Sequence, residues 1–587
     1  MRTTKEYCLT VILGLALMMA GCRKSDNRNR PHTAQPRDRL MLTELMGSEY
    51  QGVAPIDNNY FMPLGTWESA RHEFEGTLTV PEFVMLSPEE NNSVDSWDYF
   101  PGFTSDFFTQ GKFLVPVVRE IALKLSDRTY WHIMISPGTV WYEPGDNGMS
   151  RASFPFALVN ERFNVAHNGL ATFAYDETRV SSLFLQVIQE TSPPSQGDFW
   201  GVTTMNYSAH PLKNKSELAA RFVEEERKRI PILPFSALGK SLDAGLLETF
   251  TAGIEREGIS ATGLIWNHTL YLQPCATRHG DYPYPRYMRN GAYSLTKAMG
   301  ALIALLRLAE KYGEDVFDFK IADYVTIKAA HDGWKSVTFA DALNMATGVG
   351  DYMPERVEPN VMQGDENQSK FMSFLRARSR QEKMDIAFSY GDYPWGPGEV
   401  ARYNSINTFI LSAAMDAFLK SKEGPNADIW DMVLTEVFKP IGIFYAPIMR
   451  TIEPDGSKGL PIFGYGLYPN VDDVAKLSIL LQNGGRYRNR QLLHSGRLAE
   501  ALFRTDVTGL PTGERDEYGE VTYHLAFNGL PYRSKDGRIH RIPLSTGFGG
   551  NHWVLLPNDI TTFRFCDANK YGVGSMVEVA EAICPFR

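Results

Sequence analysis

The second part of the chain, from about residue 237 to residue 587, begins and ends with strand patterns and is helical in between. Short apolar or alternating runs cover Thr262–Trp266 and Leu270–Leu272 near its start, and Trp553–Leu556 and Thr561–Phe565 near its end. Between them, apolar residues recur at helical spacing. Strands at both ends with helices between them predict an α+β domain whose sheet pairs the two ends.

Several helices are predicted within and beside this domain. The longest begins at Ser294 and ends at Tyr312, before Gly313, the residue type that most often follows a helix. The other predicted helices cover Ser216–Arg229, Ala340–Met345, Ile406–Leu419, Val471–Gly484 and Val573–Ile583. Because Pro231 and Pro234 close the first of these, residues 213–236 are predicted to be a linker.

The region that precedes the linker, residues 46–212, is predicted to be a β-rich domain. Trp131–Ser136 alternates in polarity, and turn sequences such as Pro144–Gly148 separate the apolar runs. One helix is predicted near Val115–Leu125. A chain of 587 residues is too long for one ordinary domain, so this division fits its length. No motif in this region indicates its role.

The amino terminus has the pattern of an export signal. Basic residues precede a short apolar run from Cys8 to Ala20, which is too short to span a bilayer and predicts a signal peptide over residues 1–21. The run ends in Met19-Ala-Gly-Cys22, which resembles a bacterial lipobox. That resemblance implies lipidation of Cys22 and attachment to a membrane. Residues 22–45 would form a flexible tether. The predicted location is the bacterial cell envelope, facing the periplasm or the exterior, with the outer membrane favoured.

Composition limits the partners. The net charge is −10 and no basic stripe occurs, so nucleic-acid binding is not expected. No C-x-x-C or H-E-x-x-H motif and no phosphate-binding loop is present, so no metal or other cofactor is expected. Cys275, Cys566 and Cys584 allow one disulfide in an oxidising compartment, and the sequence does not choose the pair.

Ser294-Leu-Thr-Lys297 opens the long predicted helix. Residues three apart on a helix lie on one face, so the two side chains can meet. A serine hydroxyl needs an adjacent base to act as a nucleophile, and a lysine can serve when burial lowers its pKa. The helix start adds N–H groups that stabilise an oxyanion. Taken alone, the spacing also fits a helix cap followed by a solvated lysine. No G-x-S-x-G turn is present to favour an α/β-hydrolase.

Two further motifs follow in order: Tyr403-Asn-Ser405 before a predicted helix, and Ser545-Thr546-Gly547 before two predicted strands. With Ser294-x-x-Lys297, this order resembles the serine β-lactamase-like and penicillin-binding-protein-like superfamily, which includes class C β-lactamases, DD-peptidases and esterases. The resemblance covers residues 237–587. It implies an acyl-enzyme hydrolase of α+β, β-lactamase/transpeptidase-like fold that acts on a small-molecule or peptide acyl substrate.

The resemblance also implies residue roles. Ser294 would be the acylated nucleophile, Lys297 its activator, and Tyr403 the residue that relays the proton. Ser405 would hydrogen-bond the lysine or the substrate. The strand with Ser545, Thr546 and Gly547 would line the site, and the N–H groups of Ser294 and Phe548 would form the oxyanion hole.

The chain departs from the family pattern at two positions. Ser545 stands where penicillin-recognising members usually carry Lys or His, and Ser405 stands at the Asn position. The loss of a cation that pairs with a carboxylate favours an esterase-like or amidase-like activity over a β-lactamase or a DD-peptidase. Arg286, Arg289 and Arg541 are candidates for a replacement charge. Two alternative hypotheses are a non-catalytic envelope binding protein that retains the fold, and a DD-peptidase or β-lactamase that acts on cell-wall peptides or β-lactams.

Overall fold

The structure, a computed structural model, describes residues 45–46, 54–63, 68–87, 98–123, 128–129, 131–160, 162–190, 197–240, 242–351 and 368–586. The predicted signal peptide, Cys22 and the tether up to residue 44 lie outside these residues. No described helix has the length and apolar character needed to cross a membrane.

The amino-terminal part is built on one antiparallel sheet. The strands are β1 (Glu75–Val80), β2 (Phe103–Gln110), β3 (Phe113–Pro116), β4 (Trp131–Ile135), β5 (Gly138–Tyr142), β6 (Ser150–Asn160), β7 (Ala166–Tyr175), β8 (Leu183–Glu190), β9 (Phe199–Thr203) and β10 (Asn206–Ala209). Their order in the sheet is β9-β8-β7-β6-β5-β3-β2-β1-β10, and β4 also pairs with β6. This part of the chain is therefore β-rich, as predicted.

The helix predicted near Val115–Leu125 is wrong. Phe113–Pro116 is a strand paired with β2, and Ala122 forms an isolated bridge with Ile133. β-Branched valines beside Pro116 favour extended backbone, because the proline cannot donate a helical hydrogen bond.

The second sheet is mostly antiparallel. Its strands are β11 (Ile232–Pro234), β12 (Ile259–Trp266), β13 (Thr269–Leu272), β14 (Leu510–Asp516), β15 (Gly519–His524), β16 (Phe527–Arg533), β17 (Ile539–Gly547), β18 (Asn551–Leu555) and β19 (Thr561–Cys566). Their order is β11-β13-β12-β19-β18-β17-β16-β15-β14, and the pair β11-β13 is parallel. β12 pairs with β19, so the predicted pairing of the two ends of an α+β domain is confirmed. Within the described ranges, two-stranded ribbons join Phe83–Val84 to Tyr99–Phe100, Ala276–Thr277 to Gly280–Asp281, Val349–Gly350 to Gly391–Asp392, and Arg486–Tyr487 to Arg490–Gln491.

The helices that follow the first sheet lie between residues 215 and 583. They are α1 (Lys215–Arg227), α2 (Ala244–Glu248), α3 (Ile303–Tyr312), α4 (Phe339–Leu343), α5 (Gln368–Arg376), α6 (Arg380–Ala387), α7 (Ser405–Glu423), α8 (Ile429–Val433), α9 (Val471–Gln482), α10 (Ser495–Ala501) and α11 (Gly574–Ile583). A π-helical turn, Lys297–Leu302, leads directly into α3, and a second one, Leu434–Phe438, follows α8. The long predicted helix is therefore present, but its first turns are wider than those of an α-helix.

One apolar core joins the two parts of the chain. It contains Ala157 and Leu170 from the first sheet together with Leu295, Phe409 and Trp553 from the second part. A second core lies on the other side of the first sheet, and a third lies between the second sheet and α11. Cys275, Cys566 and Cys584 are free thiols, so the disulfide that the sequence allowed among them is not formed.

A buried charged cluster fixes the linker to the start of α9. Asp472, which is fully buried, pairs with Lys476 at 2.6 Å and also contacts Arg229 and Arg286. Burial raises the pKa of Asp472, but Arg229 and Lys476 outweigh this effect and hold it below its ordinary value. The cluster therefore depends on an ionised carboxylate.

We expect Asp472→Asn to lower the free energy of unfolding by about 3–5 kcal/mol, because it leaves buried cations without their anion. The wild-type contribution is present above the ordinary aspartate pKa and is lost as the pH falls through the lowered folded-state pKa. Urea titrations at pH 7 would measure the loss. Asp332→Asn, which removes an exposed pair with Lys335, is the matched control and should change stability by less than about 0.5 kcal/mol. Equal losses in the two variants would contradict the account.

Candidate active site

Ser294, Lys297 and Tyr403 meet at one point. The Ser294 hydroxyl oxygen accepts hydrogen bonds from Lys297 Nζ at 2.9 Å and from Tyr403 Oη at 2.5 Å. Lys297 is only 1% exposed, whereas Ser294 is partly exposed. A serine hydroxyl within reach of both an amine and a phenol, and open to solvent, is the arrangement that nucleophilic catalysis requires.

Two further contacts fix the lysine. Lys297 Nζ donates to Ser405 Oγ at 3.0 Å and to the carbonyl oxygen of Gly464 at 2.8 Å. Ser405 is the first residue of α7, and Asn404 caps that helix by accepting from the N–H of Ile406. The helix start therefore places Ser405 beside the amine.

The turn before Ser294 is strained. Tyr293 has φ = 48°, a left-handed conformation that costs a bulky residue about 1–3 kcal/mol. Such a conformation persists only when neighbouring groups hold it. The N–H of Ala292 donates to the carbonyl of Leu467 at 3.0 Å, and Asn551 Nδ2 donates to the carbonyl of Gly291 at 3.0 Å. The turn is thus held by the loop before α9 and by β18.

The third motif forms the end of β17, beside this turn. A β-carbon at Gly547 would lie 2.7 Å from the carbonyl oxygen of Ala292, so only glycine allows the strand to approach so closely. Side chains alternate along the strand. Ser545 pairs across the sheet with Trp553, whose indole N–H donates to Ser478 of α9, so Ser545 faces the helices.

Thr546, another predicted site residue, makes its side-chain contact with His552. It pairs across the sheet with His552, and its hydroxyl lies 3.3 Å from His552 Nδ1. Burial, followed by the charge of Arg564, holds the pKa of His552 well below its ordinary value. The Thr546 side chain therefore belongs to the opposite face of the sheet, where strand alternation directs it.

Phe548 follows Gly547 and lies against the residue before the nucleophile, with the Tyr293 and Phe548 ring centroids 5.4 Å apart. Among the described residues, neither the N–H of Ser294 nor that of Phe548 has a hydrogen-bond acceptor. The N–H groups of Leu295, Thr296 and Lys297, in contrast, donate to Ala292, Tyr293 and Ser294. Two N–H groups that lack acceptors beside a serine hydroxyl are suited to stabilise an oxyanion.

The three arginines considered as replacements for the missing cation are bound elsewhere. Arg286 donates to the carbonyl of Ile230 and contacts Asp472, and Arg289 donates to the carbonyl of Tyr468 and to Asp473. Arg541 donates to Thr522 Oγ1 at 2.7 Å. Arg286 and Arg289 are held by buried aspartates, and Arg541 contacts β15 through Nη1, so the described partners of these arginines lie within the fold and not at Ser294.

Residues from distant parts of the chain complete the surroundings of Tyr403 and of the turn before Ser294. Tyr523 on β15 packs with Tyr403, and burial, together with that neighbour, raises the pKa of Tyr523 well above its ordinary value. Asn164 accepts from the N–H of Tyr293 at 2.6 Å. Neither residue belongs to a motif, so no local pattern could have identified them. No group of three or more His, Cys, Asp or Glu side chains suited to a metal occurs in the described ranges.

Comparisons with known proteins found no matching protein family and no matching curated protein. Among solved structures, a penicillin-binding protein homologue from Caulobacter crescentus is 15% identical, with a TM-score of 0.39, over 58% of this chain and 96% of its own. A D-stereospecific amidohydrolase from Streptomyces is 15% identical, with a TM-score of 0.38, over 60% and 100%. A family VIII carboxylesterase is 16% identical, with a TM-score of 0.37, over 62% and 96%.

We expect Gly547→Ala to lower the reactivity of Ser294 toward a fluorophosphonate probe. The added methyl group would displace the turn that carries Ser294, and a displacement of about 1 Å costs on the order of 10²-fold in rate. Second-order labelling rates would measure the effect. Gly574→Ala is the control, because its β-carbon meets no atom within 4 Å. Similar rates in both variants would show that the close approach at Gly547 does not matter.

Proposed function

We propose that this chain is a serine hydrolase that cleaves an ester or an amide through an acyl-enzyme at Ser294. The observation that carries the proposal is the hydrogen bonding of one partly exposed serine hydroxyl to both Lys297 and Tyr403, at 2.9 and 2.5 Å. Lys297 is held in turn by Ser405 and by Gly464, so its amine has a fixed direction.

The reaction follows from these positions. After Lys297 has lost one proton, its amine keeps the N–H bonds to Ser405 and Gly464, and its nitrogen lone pair takes the hydroxyl proton of Ser294 while Ser294 Oγ forms a bond to the substrate carbonyl carbon. The N–H groups of Ser294 and Phe548 stabilise the oxyanion, each worth about 10²–10³ in rate. Tyr403 relays that proton from Lys297 to the leaving group as its bond to carbon breaks. Water then attacks the acyl carbon and gives a proton to Lys297. This proton passes to Ser294 Oγ as the bond between Oγ and the acyl carbon breaks and the acid product leaves.

An esterase-like specificity for uncharged acyl groups fits the site better than β-lactam or D-Ala-D-Ala recognition. Ser545 supplies no charge where penicillin-recognising relatives carry a cation, and Arg286, Arg289 and Arg541 are occupied by other partners. A substrate carboxylate would lack the charge-assisted bonds that normally hold it.

We also propose that the enzyme is a lipoprotein of the cell envelope. The apolar run from Cys8 to Ala20 and the small residues before Cys22 support this location. The mass of the amino-terminal peptide from the producing cell would test it, since an unmodified Cys22 would contradict lipidation.

We expect a fluorophosphonate to label the protein stoichiometrically at Ser294 and Ser294→Ala to abolish both labelling and p-nitrophenyl butyrate hydrolysis. Tyr403→Phe should lower turnover by about 10²–10⁴, the usual contribution of a proton-transfer residue. Ser457→Ala, at an exposed serine, is the control and should match wild type. An unlabelled wild-type protein at high probe concentration would favour the non-catalytic alternative.

Charge on the acyl group should decide between good and poor substrates. We expect kcat/KM for p-nitrophenyl butyrate to exceed that for p-nitrophenyl hemisuccinate, which has a terminal carboxylate, by at least about tenfold, since a tenfold ratio requires only 1.4 kcal/mol. The two esters share a leaving group, so the ratio reports recognition of the acyl chain. A preference for the hemisuccinate would indicate a cation in the site and would contradict the proposed specificity for uncharged acyl groups.

A further inference from the structure

Two asparagine side chains, on β7 of the first sheet and just before it, hydrogen-bond to the backbone of residues 289–293, the nucleophile turn that leads to Ser294. Asn168, on β7, donates from Nδ2 to the carbonyl of Arg289 at 2.8 Å and accepts from the N–H of Arg289 at 3.0 Å. The side-chain amide thus bonds both the N–H and the carbonyl of one residue, as a neighbouring β-strand would. It therefore fixes both the position and the orientation of the backbone at Arg289.

Asn164, just before β7, makes the contact closest to the chemistry. Its Oδ1 accepts from the N–H of Tyr293 at 2.6 Å, and the side chain is 1% exposed. Tyr293 is the strained residue directly before Ser294. A buried acceptor on this N–H favours the left-handed conformation, because any rotation of the peptide would leave the N–H unsatisfied.

We infer that Asn164 is a positioning residue for the hydrolase reaction and that the first sheet is a part of the active site, not a separate binding module. The inference rests on the proposed function. Rotation at Tyr293 moves Ser294 Oγ relative to Lys297 Nζ and Tyr403 Oη, the two groups that activate it. Asn164 therefore controls the chemical step through Ser294 and has no need to touch the substrate.

A matched control is available in the same interface. Gln189, on β8, donates from its side-chain amide to Ser260 Oγ on β12 at 3.0 Å. Like Asn164, Gln189 is buried and joins the first sheet to the second part of the chain. It contacts the end of a strand and not the nucleophile turn, so its loss should cost stability without a specific effect on the reaction.

The test compares Asn164→Leu, Asn164→Asp and Gln189→Leu in the full chain. For Asn164→Leu we expect kcat for p-nitrophenyl butyrate and the fluorophosphonate labelling rate to fall by about 10²-fold, with KM changed by less than about threefold and the pH profile unchanged in shape. Asn164→Asp keeps an acceptor oxygen and should recover most of the rate. Gln189→Leu should keep kcat within about threefold of wild type.

The outcomes separate the two hypotheses. A wild-type protein that is neither labelled nor active overturns the proposed function and this inference with it. An active wild type with equal kcat in Asn164→Leu and Gln189→Leu overturns the positioning role alone. If Asn164→Leu does not fold, Asn164→Ser takes its place, because the serine hydroxyl is too short to reach the N–H of Tyr293. Its kcat must then fall below that of Gln189→Leu, or the inference is wrong.

Discussion

The antiparallel pairing of β12 with β19 is the contact on which the site depends. It joins residues 259–266 to residues 561–566 and so closes the second sheet across the whole helical region. With β19 fixed, β18 and β17 follow in order, and β17 ends where Gly547 meets the carbonyl of Ala292. The sheet thereby brings the third motif to the first, although Ser545 lies 251 positions after Ser294.

Buried charges then fix the parts that the sheet does not reach. Asp472 and Asp473 open α9 and hold Arg229, Arg286 and Arg289. Burial raises the pKa of Asp473 despite the nearby Arg289, whereas the pKa of Asp472 is lowered. Ion pairs without water are costly to break, so these aspartates tie the linker and the segment before Ser294 to one helix start. Because these arginines already form ion pairs with buried aspartates, they are not available to bind a substrate carboxylate.

Local patterns predicted the elements of the site well. The spacing of Ser294 and Lys297 on one helix and the order of the three motifs were sufficient to anticipate that Tyr403 and Ser405 would join them. The left-handed turn at Tyr293 was not predictable, because tyrosine has no preference for it and the groups that hold it come from elsewhere. Asn164 lies 129 positions before Tyr293, and no periodicity relates the two. The side of β17 occupied by Thr546 depends on strand register, which the motif alone does not define.

The two departures from the family pattern differ in their consequences. At position 405, serine still accepts a hydrogen bond from Lys297 at 3.0 Å, so the shorter side chain preserves the contact that orients the amine. At position 545, serine is buried on the face of the helices and carries no charge. The first change therefore retains the catalytic arrangement, while the second changes what the site can recognise. A chain with both changes should keep the chemistry of acyl transfer and lose the preference for anionic substrates.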